Sequence, residues 1–156
     1  MVTLEQTTLI HAPVERCFDL SRSIDLHVRS TADTGERAVA GVTSGLIGLG
    51  EQVTWRAKHL GVWQEFTSKI TALDRPAYFQ DTMIQGAFRS FRHDHYFRPT
   101  DIGETTMTDV LEFAAPVPVA GRLAEVFLQP YLAKFLRERN DLLKQVAESE
   151  EWRKFI

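Results

Sequence analysis

The residues able to do chemistry fall in two stretches near the C-terminal half of the chain. Within Phe88–Arg98 one alternating set carries Phe91, His93, His95 and Phe97, and the other carries Ser90, Arg92, Asp94, Tyr96 and Arg98. Side chains two apart on a strand emerge on the same side about 6.6 Å apart, so both histidines share a face with phenylalanines that seek an interior. In Thr105–Ala114 the residues Met107, Asp109, Leu111 and Phe113 alternate with Thr106, Thr108, Val110 and Glu112. Asp109 therefore also looks inward, where a carboxylate is costly without a partner. Opposite His93 or His95, as register decides, it would favour the imidazolium form and fix its tautomer.

Three chemistries are open to this group. His93, His95 and Asp109 can satisfy one another as an internal hydrogen-bond network. They can instead be polar anchors in an apolar pocket, the usual make-up of a small-molecule site. Or they can serve metal binding or acid–base catalysis, with His59 as a third nitrogen ligand. His93-Asp94-His95 resembles the HxH pair of cupins, yet the downstream glutamate spacing of that family is absent and a long C-terminal helix does not suit a double-sheet jelly roll. No metal or cofactor is expected. Trp55, Trp63 and Phe66 are core or pocket wall. Phe127, Tyr131 and Phe135 form a stripe at helical spacing, in which the Tyr131 hydroxyl needs either a bond or a ligand. Cys17, on one helical face with Val14 and Phe18, reads as a buried small hydrophobe; His11 and His27 receive no role.

The elements that must hold these residues follow from period and punctuation. Thr3–Ile10 is rich in β-formers and stops at Ala12-Pro13, after which Pro13 suits the first turn of a helix carrying Val14, Cys17, Phe18 and Ser21. Ser23 caps a second short helix near Ile24–Ser30. Glu36–Ala40 reads as a strand, and Gly41, Gly45, Gly48 and Gly50 make a mobile loop; GLIGLG lacks the Lys-Ser/Thr of a phosphate-binding loop. Alternation then gives Val53–His59, a turn at Leu60-Gly61, Val62–Leu73, Tyr78–Ile84, a turn at Gly86, Phe88–Arg98, a turn at Thr100–Gly103, and Thr105–Ala114, closed by Pro116 and Pro118. This predicts an antiparallel meander of about seven strands. From Leu123 to Val146 apolar residues recur at helical intervals with Arg122, Glu125, Lys134 and Glu138 between them, with a bend or break expected at Pro130. A helix of roughly 40 Å can lie across the apolar face of such a sheet, which must curl around it.

The 156 residues, 44% hydrophobic and 25% charged, describe one α+β domain spanning 1–156. A formal charge of -3 without a polybasic run excludes phosphate-backbone binding as the main task, so nucleic acid is not an expected partner. No apolar run approaches the ~18–20 residues that span a bilayer, and MVTLEQTTLIHA lacks the order of a signal peptide, so a cytoplasmic protein without integral membrane association is expected. The end of the chain, Trp152–Ile156, either folds back or meets another chain, leaving monomer and homodimer both open.

The succession of strand, two short helices, meander with a Gly-rich loop and long C-terminal helix resembles the START-like, or SRPBCC, superfamily that includes the Bet v 1 allergens and polyketide cyclases. Ile10-His11-Ala12-Pro13-Val14-Glu15-Arg16-Cys17-Phe18-Asp19 is similar to that superfamily's I-x-A-P-x-E-x-V-F-D start. Gly45–His59, Phe91–Phe97 and Met107-Thr108-Asp109 look like a bacterial ligand-binding branch. The resemblance implies a helix-grip fold enclosing a cavity for a small hydrophobic or amphipathic molecule, lipid-, quinone- or polyketide-like. Trp55, Phe66, Phe91, Phe97, Met107, Phe127 and Tyr131 would be its walls, and His59, His93, His95 and Asp109 would orient a polar end. The alternative is a cyclase-, dehydratase- or hydrolase-type enzyme using His93, His95 and Asp109 in the same cavity.

Overall fold

A computed structural model describes residues 1–59, 61–116 and 121–156, without the side chains of 121–123. The expectations for Leu60, Pro118, Arg122 and Leu123 lie outside the described residues. In chain order the elements are β1 (Val2–Ile10), α1 (Val14–Ser21), α2 (Ile24–Ser30), β2 (Arg37–Gly41), β3 (Gln52–His59), β4 (Val62–Asp74), β5 (Tyr78–Gln85), β6 (Ser90–Pro99), β7 (Thr105–Ala114) and α3 (Gly121–Ala147). The seven strands form one antiparallel sheet in the order β1-β7-β6-β5-β4-β3-β2. Two short 3₁₀ turns, Ala32–Thr34 and Glu150–Lys154, complete the elements among the described residues. No helix among the described residues is long and apolar enough to cross a membrane.

Alternation sets the inner face. In β7 every second residue from Thr105 to Phe113 is buried, with Asp109 among them. Strand β6 buries His93, His95 and Phe97 on the same side, and pairing sets His95 opposite Asp109 and Phe97 opposite Met107. Asp94 points the other way, yet it too is buried, because Tyr78, Gln80 and Arg92 bond its carboxylate on the outer face.

The two ends of the sheet are filled differently. Beneath the β1–β7–β6 end, α1 inserts Phe18, which is fully buried and meets Phe79 and Phe97 edge-on at 5.5 and 5.3 Å. Ile10, Leu20, Met107 and, from the end of α3, Leu143 and Val146 complete that core. Cys17 lies inside it, and burial pushes its thiol pKa up, as for a packing residue rather than a nucleophile. The segment Glu150–Lys154 folds back, with Trp152 and Phe155 against the core and the Phe155 carbonyl accepting from Ser23 Oγ at 3.2 Å.

Three local expectations are corrected. The Gly-rich segment, expected to be mobile, is a loop tied at several points: Gly45 N donates to Asp25 Oδ2, Ile24 N to the Gly45 carbonyl, and Ile47 N to the Arg22 carbonyl. Its glycines serve geometry, since Gly41 has φ +73° and an added Cβ would stand 2.1 Å from the Gln52 carbonyl oxygen. The helix α3 runs unbroken through Pro130. The carbonyl that loses its donor belongs to Val126, and both residues are exposed, so the freed acceptor is open to solvent. The strand expected from Phe88 begins at Ser90.

Replacing Phe18 by Ala should cost about 3–5 kcal/mol in urea unfolding, because both aromatic partners lose their contact face. Phe127→Ala, at a side chain 71% exposed, should stay within about 0.5 kcal/mol. Equal losses at the two sites would contradict this division of core and surface.

Candidate functional site

Away from α1 the curl of the sheet is not filled. Between β3–β6 and the middle of α3 lies a cavity of about 240 Å³. Its walls include Trp55, Phe66, Ile70, Phe91, Leu128 and Phe135, and polar side chains enter it in two groups. Phe66 and Phe91 meet edge-on at 5.0 Å.

The first group is held by Asp109, which is fully buried behind the cavity surface. Its Oδ1 lies 2.9 Å from His93 Nε2, and its Oδ2 accepts from Asn140 Nδ2 at 2.8 Å. His95 Nδ1 stands 2.8 Å from Asp109 Oδ1, a charge contact lacking hydrogen-bond alignment. On its far side His95 Nε2 bonds Asp81 Oδ2 at 2.9 Å, a pair delivered by strand register, since β5 sets Asp81 opposite His93. Arg139 brings its Nη1 to 3.6 Å from Asp109 Oδ1 while bonding Asn140 Oδ1 and the Ser21 carbonyl. Phe79 stacks on the His95 ring at 4.0 Å.

These contacts divide the protons. Burial alone would depress His95, but its close contact with the Asp109 carboxylate and its bond to Asp81 overcome that and hold its pKa above the usual value. His93 is driven down, first by burial and then by the positive charge on His95, against the pull of Asp109. Burial opposes ionisation of Asp109, yet its bond to His93 and the contact with His95 keep it well below the usual carboxylate range. Asp81 is likewise lowered, burial notwithstanding, by its bond to His95. The two rings, with centres 3.8 Å apart, are thus pushed in opposite directions, His95 toward its charged form and His93 toward its neutral one, with Arg139 as the further cation beside the two carboxylates. Asp81, His93 and His95 each present one ligand atom within 4.8 Å of the others, a set of two nitrogens and one oxygen that suits a transition-metal ion. A cation there would have to displace the His95 proton and sit beside Arg139.

The second group gathers around Glu36, a carboxylate only 7% exposed. His27 Nε2 lies 2.5 Å from its Oε1 and stacks over Trp55 at 4.2 Å between ring centres. His59 Nε2 stands 3.8 Å from Glu36 Oε2, and His59 Nδ1 is 2.7 Å from the Tyr131 hydroxyl. The Tyr131 pKa is raised by burial and then by the charge of Glu36, so its hydroxyl keeps its proton.

Of the residues expected at the site, Trp55, His59, Phe66, Phe91, His93, His95 and Tyr131 line the cavity. Asp109 is one layer behind. Phe97 and Met107 belong instead to the packed end under α1, and Phe127 points to solvent on the outer side of α3. His59 does not join His93 and His95 as a third ligand; Asp81 stands there. Sequence reasoning passed over Asp81, Arg139 and Asn140, although each interrupts an apolar stripe: Asp81 falls between Phe79 and Met83 on β5, and Arg139 and Asn140 fall between Leu136 and Leu143 on α3. His27 and Glu36 carried no signal, since only the fold brings α2 and the start of β2 together over Trp55.

A curved antiparallel sheet gripping one long helix, with an apolar-walled cavity between them, is the START/Bet v 1-like fold. The chain belongs to the polyketide cyclase / dehydrase and lipid transport family, whose model matches residues 1–148. Among solved structures it is similar to the ZhuI aromatase/cyclase of Streptomyces sp. R1128 (TM-score 0.76, 13% identity, 94% of this chain and 93% of that one). It is also similar to a START superfamily protein from Mycobacterium smegmatis (TM-score 0.67, 14% identity, 94% and 97% covered). A third likeness is ginseng major latex-like protein 151 from Panax ginseng (TM-score 0.68, 15% identity, 95% and 98% covered). At these identities the likeness is one of fold. No curated protein matches the chain.

The sign of the His95 shift gives a test. A raised pKa means the folded state holds the proton more tightly, so the stabilisation is fully present below pH ~6.5 and fades as pH rises through the folded-state value. The stability difference between wild type and His95→Gln, from urea unfolding across pH 5.5–9, should therefore shrink with rising pH. A difference that grows with pH would mean that His95 is buried uncharged.

Proposed function

We propose that this protein binds a small hydrophobic or amphipathic molecule between its sheet and α3. The observation carrying this reading is the cavity itself: about 240 Å³ walled mainly by aromatic and aliphatic side chains, in a fold whose other end is solidly packed. Interiors are ordinarily filled to crystal density, so an apolar void of this size forgoes dispersion contacts that a guest would restore. Area burial at about 25 cal/mol per Å² then supplies the affinity, and the polar groups orient the guest. The lipid transport and cyclase members of the family make such a ligand the natural class.

The cavity can be filled from within. Ala57, on β3, is 3% exposed and faces it. Wild-type protein should bind 1-anilinonaphthalene-8-sulfonate saturably at one site, and Ala57→Phe should weaken that binding at least tenfold with an unchanged circular dichroism spectrum. Equal binding by the variant would place the probe elsewhere and remove the reading.

The pair of histidines supports a second, catalytic reading. His93 lines the apolar site and is held toward its uncharged form, as a base requires. In this reading His93 takes a proton α to a substrate carbonyl and returns it to the carbonyl oxygen, giving the enol that cyclisation or dehydration consumes, while His95, both nitrogens turned to carboxylates, holds the local charge. On a poly-carbonyl substrate His93→Asn should then lower turnover at least a hundredfold while leaving probe affinity within threefold. Turnover unaffected by the substitution would exclude His93 from that role.

A further inference from the structure

Resting on the binding reading above, we infer that the ligand is a slender molecule with an apolar middle and an oxygen function at each end, one of them a hydroxyl. The inference comes from the spacing of the two polar groups. Tyr131 bonds His59 in the Glu36 group, and Arg139 stands beside Asp109 in the other. Both lie on α3, eight residues apart, which is about 12 Å along the helix axis. Phe66, Phe91 and Phe135 supply the apolar wall from sheet and helix.

Each end has its own preference. Glu36 is an acceptor with both of its neighbouring imidazoles turned toward it, and the Tyr131 hydroxyl and the His59 ring line the cavity. A ligand carboxylate there would meet the Glu36 charge, whereas a hydroxyl can both donate and accept against Tyr131 and His59. At the opposite end His93, His95, Asp81 and Arg139 all reach the cavity surface with carboxylate charge matched by cation. That end presents donors and acceptors together and suits a carbonyl or a second hydroxyl. Each group is complete in its own bonds, Asp109 with His93 and Asn140 and Glu36 with His27, yet each also turns polar side chains to the cavity, and one such group alone would suffice to orient a singly substituted guest. A rod with oxygen at both ends uses both.

Two rigid phenols separate the possibilities. 4,4′-Dihydroxybiphenyl and 4-phenylphenol share one shape and differ by a single terminal hydroxyl. In displacement of 1-anilinonaphthalene-8-sulfonate from the full chain, the diphenol should bind about three- to tenfold more tightly, the worth of one hydrogen bond. Tyr131→Phe should abolish that advantage, bringing the affinities of the two phenols within about twofold of each other, with an unchanged circular dichroism spectrum reporting that the variant is folded. Equal affinity of the two phenols for wild type, or parallel losses of both in Tyr131→Phe, would overturn the two-ended site while leaving the cavity reading intact. If neither phenol displaces the probe, or if Ala57→Phe binds both as wild type does, the cavity reading fails and takes this inference with it.

Discussion

The arrangement turns on a single buried charge. Asp109 sits at zero exposure on the inner face of β7, where an unpaired carboxylate would not be tolerated. It is made possible by donors from two other elements, His93 of β6 and Asn140 of α3, with His95 and Arg139 close by. The same contacts lock the angle and height at which α3 crosses the sheet. Asp109 draws both histidines toward the charged form, and Asp81, hydrogen-bonded to His95 alone, tips the balance toward that ring. Removing one member of such a cluster leaves the others buried and uncompensated, so the group behaves as a unit.

That crossing point explains why there is room for a guest. On one side of it α1 pushes Phe18 into the angle between sheet and helix, and the space is filled. On the other side α2 brings His27 over Trp55 and the Gly-rich loop brings Ile47, which join the cavity wall without filling the space, and α3 meets the sheet through Tyr131 and His59 near its far end. Along β1 the helix lies against the sheet, with Gln6 Nε2 donating to the Ala133 carbonyl at 3.3 Å, so the hollow opens beside α3, over β3–β6. Arg139, His59 and Tyr131 thus serve twice, tying helix to sheet and lining the cavity.

How much of this was legible in the chain varies with the range of the interaction involved. Alternation placed His93, His95 and Asp109 on inner faces, and the same rule applied to Phe79-x-Asp81-x-Met83 would have added Asp81. Helical spacing would have flagged Arg139 and Asn140 as polar intruders in an apolar seam. Phe97 and Met107 show the limit: an inward apolar residue reads alike whether it meets a void or a packed neighbour, and only the position of α1 distinguishes them. Phe127 shows another, for on a helix with apolar residues on more than one side the sequence does not say which side meets the sheet. The Glu36 group was out of reach, as its members come from α2, the approach to β2, β3 and α3, with no shared period.

The sequence by itself determined the succession of strands and helices, the hairpin order of the sheet and the inward turn of one acid and two imidazoles, because these follow from periods of 2 and 3.6 and from turn chemistry between near neighbours. Only the tertiary structure decided that His95 faces Asp109 across the ladder, that Asp81 rather than His59 joins them, and that one end of the sheet stays hollow. Register and the height of a helix over a sheet are set by packing between residues that can lie more than a hundred positions apart, and no local pattern encodes how far two surfaces stand from one another.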